Sequence, residues 1–182
     1  LKLLKSKNIS KIIVATSDHK SDDKLIRYLK KIKVEFFRGS LTNVTERMLN
    51  LALLKKKTFF LRISGDSPLI DYKLVDLAIS IFKKNKRYDL VTNTFPRSFP
   101  KGQSVEIIRT SLLKKHISKM SKIEKEHVTK YFYKYSKNFY IKNFRNKLKT
   151  RLIKLAVDNK KDLAKILKKI DKKKFENYSI YD

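Results

Sequence analysis

The chain has no cysteine and no tryptophan, and it spreads only three glycines and three prolines over 182 residues. Without cysteine there can be no disulfide and no thiolate metal site. Long apolar runs are missing as well. The longest, such as Phe59-Phe60-Leu61, are strand-sized and far too short to cross a bilayer. No secretory leader is visible. Together these absences lead to the expectation of a cytoplasmic protein with no membrane partner. Acidic residues are scarce too, 17 against 46 basic ones, which gives a formal charge of +29.

That charge raises the question of nucleic acid, since many Lys and Arg side chains neutralise phosphates. Lys outnumbers Arg 37 to nine, however, and Asn, Ile, Phe and Tyr are common. An A/T-rich coding bias produces the same composition. The lysines are dispersed, mostly on polar helix faces, and form no localised block. Nucleic acid is therefore not expected as a partner, although the charge can still attract a nucleotide triphosphate. With 41% apolar and 11% aromatic residues, the chain can bury a core.

Apolar runs alternate with helical patterns. Strands are predicted at 11–16, 34–37, 58–63 and 88–93. Between them, helices are predicted at 21–32 (Leu25, Leu29 and Ile32 inward), 43–56 (Val44, Met48, Leu51 and Ala52) and from Asp71 as N-cap (Leu74, Leu77, Ala78, Ile81 and Phe82). This alternation predicts an α/β layer with a mainly parallel sheet. Beyond a loop at 94–102, short strands are expected at 105–108, 139–143 and 152–157, and helices near 110–119 and 124–135. A last helix, capped by Asn159, turns Leu163, Ile166, Leu167 and Ile170 inward. Residues 1–170 read as one domain and 171–182 as a lysine-rich peripheral tail.

In so glycine-poor a chain, the three glycines are expected to hold backbone positions closed to other residues. Gly39 and Gly65 directly follow predicted strands, and ligands of open α/β sheets bind beyond strand carboxyl ends. In the segment Arg62-Ile-Ser-Gly-Asp-Ser-Pro-Leu-Ile-Asp71, Asp66 stands just past a strand. There it can either cap a turn or reach a divalent cation carried by a triphosphate. Asp71 is the better cap, which leaves Asp66 for the cation. Asp158 ends the 152–157 strand. Alone it is an ordinary turn residue; beside Asp66 it is a candidate second ligand. His127 shares no ligand spacing with His19 or His116, so it reads as a partly buried helix histidine.

At these residues the chain resembles the cytidylyltransferases, which include the CMP-sialic acid and CMP-Kdo synthetases, and most of all the spore coat polysaccharide type. The resemblance rests on Ile13-Val-Ala-Thr-Ser17, Phe37-Arg-Gly-Ser40 with Arg47, Gly65-Asp66-Ser-Pro-Leu-Ile-Asp71, Thr92-Asn-Thr-Phe-Pro96, Val105-Glu106, Glu126-His-Val-Thr129, and Ala156-Val-Asp158 with Asp162-Leu163. Their order covers nearly the whole chain. It implies a Rossmann-like, three-layer nucleotide-diphospho-sugar transferase fold with a mainly parallel mixed sheet. It further implies transfer of CMP from CTP to a sugar or sugar acid, with release of pyrophosphate, for surface polysaccharide. Mg²⁺ would sit on Asp66 and Asp158, which would be the catalytic pair. Arg38, Ser64 and Gly65 would meet the nucleotide, and Asn93 and Glu106 the sugar. Arg38 could equally pair with a surface carboxylate, and Glu106 could be an exposed strand residue.

The family's opening strand and basic, glycine-containing phosphate loop have no counterpart, so the first strand is expected to be missing and the chain N-terminally truncated. Ser104 replaces a frequent Asp of the spore coat type. Ser64 replaces a Gln of the Kdo enzymes, so Kdo is not the favoured acceptor. Two other readings compete: a truncated, inactive homologue that acts as a structural or homodimerisation module, and a basic nucleic-acid-binding domain. The latter requires exposed aromatics for stacking, and Tyr131, Tyr133, Tyr135, Phe139 and Tyr140 are the only cluster of that kind.

Overall fold

The computed structural model describes residues 2–146, 154–169 and 179. It divides into two compact units whose segments interleave along the chain: residues 10–60 with 108–139, and residues 1–9 with 61–107 and 140–182.

The first unit starts with strand β1 (Val14–Ser17) and strand β2 (Phe36–Gly39), which pair in parallel with Thr16 opposite Arg38. Helix α1 (Asp23–Lys31) connects them and buries Ile26 and Leu29. Leu25, one of the expected core residues, is exposed. Leu25 and Ile26 are adjacent, and periodicity alone could not choose between them. Ile32 also faces out, because the helix has ended: Lys33 takes a positive φ of 54°. Helix α2 (Val44–Leu54) is capped by Asn43, whose side chain accepts the Glu46 N–H. Its buried residues are Thr45, Leu49 and Ala52, so the stripe lies one residue round from the expected Val44, Met48 and Leu51. The buried Thr45 hydroxyl donates to the Lys125 carbonyl at 2.9 Å. A count of apolar residues alone passes over such a satisfied polar group.

Strand β5 (Glu106–Arg109) leads into helix α4 (Thr110–His116). The Thr110 hydroxyl and N–H donate to the carbonyls of Lys57 and Thr58, which fixes the start of that helix. The helix expected over 124–135 is broken into α5 (Lys122–Glu126) and α6 (Lys130–Lys134). Ser121 and Glu124 form a capping box that starts α5 two residues early. His127 closes that helix in a non-helical conformation and is exposed, not buried within a helix. The aromatic cluster closes on His116, with Phe132 and Phe139 each packed edge-on against its ring. Phe132 is wholly buried. Packing thus accounts for a large part of that cluster.

The other unit is built around helix α3 (Tyr72–Lys84), which buries Leu74, Val75, Ala78, Ile79 and Phe82. Val75 and Ile79 take the places expected of Leu77 and Ile81. A four-stranded sheet has the order β3-β5-β4-β6, from β3 (Phe59–Arg62), β4 (Leu90–Thr92) and β6 (Ile141–Asn143), with β4 and β6 parallel. The boundary between the units falls inside β3, after Phe60, and inside β5, after Ile107. Helix α7 (Lys160–Lys169) buries Ile166 against Leu69 and Leu155, whereas Leu163 and Leu167 are exposed. Ile170 and most of the tail lie outside the described residues. Ser179, from the tail expected to be peripheral, is buried, and its hydroxyl donates to Asp71 at 2.7 Å. No helix among the described residues is long and apolar enough to cross a membrane.

One polar cluster fixes the turn after β1. Asp22 Oδ2 accepts from the hydroxyls of Ser17 (2.6 Å) and Thr16 (2.5 Å) and from the Ser17 N–H (2.9 Å). These donors, the Ser17 hydroxyl foremost, hold its carboxyl well below the ordinary range. Asp22→Ala should therefore cost about 2 kcal/mol at neutral pH in chemical denaturation. Because the folded-state pKa is depressed, this stabilisation is complete above the unfolded value of about 4 and is lost as pH falls below it. The gap between wild type and variant should narrow in acid. A gap that stays constant down to about pH 2 would show that the carboxylate's charge is not what holds the turn.

Candidate active site

The segment that leaves β3 makes a tight turn. Ser67 N–H donates to the Ser64 carbonyl at 3.2 Å, and Ile70 N–H to the Ser67 carbonyl at 3.2 Å. Asp71 then caps α3 by accepting the Lys73 N–H at 2.8 Å, the role expected of it. Asp66 lies on the turn itself, half-buried. Its Oδ1 accepts from the Ser67 hydroxyl at 2.8 Å, and among the described residues its Oδ2 has no hydrogen bond.

Residues 154–158 run against this turn. The expected strand over 152–157 is not a regular strand where it is described. Lys154 makes an isolated parallel bridge with Lys101. Leu155 N–H donates to the Lys101 carbonyl at 2.7 Å, whereas Val157 N–H donates to the Asp66 carbonyl at 2.8 Å. The segment thus alternates between two loops instead of following one strand. The second of these bonds brings Asp158 to within one residue of the backbone contact with Asp66. The backbones of two acidic residues 92 positions apart in sequence are thus neighbours in the same unit.

The closeness depends on Gly102. Its φ is +94°, and a methyl group there would lie 2.5 Å from the Leu155 carbonyl carbon and 2.6 Å from the Ala156 nitrogen. Gly65 differs: an added methyl meets nothing within 4 Å, and its backbone is not left-handed. The expectation that every glycine holds a restricted backbone position is met at Gly102 and not at Gly65.

Two buried amides lock the surrounding loops. Gln103 accepts the Asp71 N–H at 2.9 Å and donates to the Leu69 carbonyl at 2.7 Å. Asn93 donates to the Gln103 carbonyl at 2.7 Å and accepts the Val105 N–H at 2.9 Å. Both side chains are fully buried. Asn93, expected to face a sugar, instead spends both ends of its amide on the frame. Glu106 is corrected in the same way. Its side chain is 5% exposed, and Arg62, just ahead of the Ser64–Ser67 turn, donates to it at 2.7 Å. It is neither directed at a sugar nor an exposed strand residue. Ser104, by contrast, is reached by Arg97 at 3.0 Å.

Arg38 belongs to the other unit. Its Nε donates to the Ser17 carbonyl at 3.0 Å, its Nη2 to the His19 carbonyl at 2.9 Å, and its Nη1 pairs with Asp23 at 2.8 Å. All three guanidinium nitrogens are thus engaged within that unit, and the carboxylate pairing held open above is the one seen.

A model of the cytidylyltransferase family matches residues 1–180. The chain belongs to that family. It is 31% identical over 129 residues to the spore coat polysaccharide biosynthesis protein SpsF of Bacillus subtilis, covering 69% of this chain and 51% of SpsF. A cytidylyltransferase structure from Leptospira borgpetersenii superposes with a TM-score of 0.84 at 29% identity, covering the whole of this chain and 85% of that one. The CTP complex of CMP:2-keto-3-deoxy-manno-octonic acid synthetase superposes with a TM-score of 0.65 at 12% identity over 91% of this chain and 82% of that one, a likeness of fold. The fold is thus the α/β fold of these proteins. The chain spans between half and two thirds of the length of the curated relatives it matches.

Three contributors to the site escaped the sequence reading. Gln103 is polar within a loop and carries no motif. Ser179 lies in a lysine-rich tail. Lys154 looked like one more dispersed lysine, yet its Nζ lies 2.7 Å from Asp158 and 2.6 Å from Asp162. Lys154 and the two acids at four-residue intervals were the available signal.

Gly102→Ala should destabilise the protein by about 3 kcal/mol or more, since it adds both a left-handed backbone penalty and a main-chain clash. Gly65→Ala should leave the midpoint of thermal unfolding within about 1 °C. Equal losses in the two variants would refute the role given to the 102–155 contact.

Proposed function

We propose that this protein transfers CMP from CTP to a sugar or sugar acid, with pyrophosphate as the other product, and that Asp66 and Asp158 hold the Mg²⁺ of the reaction. The observation that supports this reading is the Val157–Asp66 backbone bond, which ties the residue before Asp158 to the turn that follows β3. Membership of the family supports CTP as the nucleotide. The likeness to SpsF supports an acceptor used in surface polysaccharide.

The residues present suit the metal. Mg²⁺ takes hard oxygen donors and usually only one or two from protein, the remainder coming from phosphate and water. Asp66 offers an oxygen with no hydrogen bond among the described residues, and Asp158 is exposed and already holds a cation, the Lys154 ammonium. A metal bound there neutralises triphosphate charge and orients the α-phosphate.

The chain's own residues supply position. Ser67 restrains one oxygen of Asp66 and so aims the other. The acceptor hydroxyl attacks the α-phosphorus, a new oxygen–phosphorus bond forms, the bond to the bridging oxygen of the β-phosphate breaks, and the hydroxyl proton is released. Ser64 and Gly65, on the same turn, would lie beneath the nucleotide, where the open space at Gly65 leaves room for a ligand to approach the backbone. Arg38 braces the turn after β1 in the other unit, where its nitrogens are engaged, and is given no part in this site.

Pyrophosphate release from CTP, measured with a panel of sugars and sugar acids, tests this. Asp66→Ala should lower kcat about a hundredfold or more while leaving the fold intact by circular dichroism. Gly65→Ala should weaken CTP binding without loss of stability. Full turnover in Asp66→Ala would remove this residue from the reaction and the proposal with it.

A further inference from the structure

We infer that Lys154 is an internal competitor of the divalent cation: its ammonium occupies Asp158 until the metal arrives and is then retained nearby by Asp162. The inference rests on the metal site proposed above and assigns a positioning role to a residue that no family motif singled out.

The geometry is that of a three-point bridge. Lys154 Nζ stands between Asp158 Oδ2 at 2.7 Å and Asp162 Oδ2 at 2.6 Å. The same Asp162 oxygen accepts the Asp158 N–H at 3.1 Å, and the Asp162 N–H is capped by Asn159 at 3.0 Å. Asp162 is the fixed end, since its side chain is 13% exposed and it sits in the first turn of α7. Asp158 is the free end, with a side chain that is 57% exposed and has only Lys154 as a partner among the described residues.

The ammonium holds Oδ2 of Asp158, so a metal ion that takes that oxygen, or binds beside it, is repelled by a like charge at close range. The backbone of Lys154 is tied to Lys101 and cannot withdraw. Its four-carbon stem can swing, and the bond to Asp162 gives the displaced ammonium a second anion to hold. The bridge therefore keeps Asp158 oriented while no metal is bound. It also disfavours a bare cation relative to one that brings phosphate charge, because triphosphate oxygens compensate the displaced ammonium.

Titration with Mn²⁺ followed by electron paramagnetic resonance, without nucleotide, reads this competition directly. Asp66→Asn and Asp158→Asn identify the site by weakening Mn²⁺ binding. Lys154→Met should tighten Mn²⁺ binding about two- to fivefold, the range expected for losing one exposed ion pair. Structural damage would not produce tightening. Lys161→Met, which removes an exposed lysine on α7, controls for general charge and should give a clearly smaller gain. Lys154→Arg should restore affinity close to wild type. Unchanged or weaker binding in Lys154→Met, or an equal gain in Lys161→Met, overturns the inference. If instead both Asp→Asn variants bind Mn²⁺ like wild type, the metal site itself fails and the competitor role falls with it.

Discussion

A single backbone hydrogen bond, from Val157 N–H to the Asp66 carbonyl, ties the segment that carries Asp158 to the turn that carries Asp66. Nothing in the side chains of Asp66 and Asp158 draws them together; both are anions, and in isolation they repel. Main-chain donors, which are indifferent to side-chain charge, hold the two segments together, so the metal site proposed above would not have to be assembled from separate parts. The same logic requires Gly102. Residues 155–156 can only reach the turn by crossing the 101–103 loop at a distance that leaves no room for a Cβ.

Around that bond, two neutral amides perform much of the structural work. Asn93 and Gln103 are fully buried, and each joins a donor and an acceptor of two loops. An amide suits this task because it carries both functions with no net charge to desolvate. Asp71 and Glu106 are buried acids of the frame, the first supplied with the Lys73 N–H and the Ser179 hydroxyl and the second with the Arg62 guanidinium. Asp66 and Asp158, by contrast, are left at least partly accessible. In the frame, satisfied polar groups exclude alternative arrangements; at the rim, an accessible oxygen remains open to a ligand.

Much of this was legible in the sequence, and the failures share a cause. The order of strands and helices follows from hydrophobic period, and Asp71 and Asn159 are readable as caps because capping is a local matter. The neighbourhood of the Asp66 turn and the 154–158 segment was accessible only through strand ends and family resemblance. In α2 the buried face lies one residue round because Thr45, a satisfied polar group, occupies the core side. Asn93 and Glu106 stand in blocks that resemble the family's, yet a motif does not say whether a side chain points at a ligand or at its own scaffold. Their direction is decided by backbone groups at Val105 and Gln103 and by Arg62, none of which a linear pattern can place. Gly65 and Gly102 make the same point: rarity marked both, but only contact with Leu155 separates a glycine that must be one from a glycine that need not be.

The large positive charge looks different in this light. Dispersed lysines contribute a long-range field that draws in anions of every kind, and salt screens it over about 10 Å. Such a field cannot distinguish CTP from any other polyanion. In the reading proposed above, carboxylates that accept a metal would narrow the choice to polyanions that carry one. Lys154 lies where these two effects meet. It belongs by composition to the diffuse cationic background, but two carboxylates fix it in place. A lysine so held no longer acts as part of a field; it acts at one atom, and the affinity of that atom for a second cation depends on where the ammonium can go.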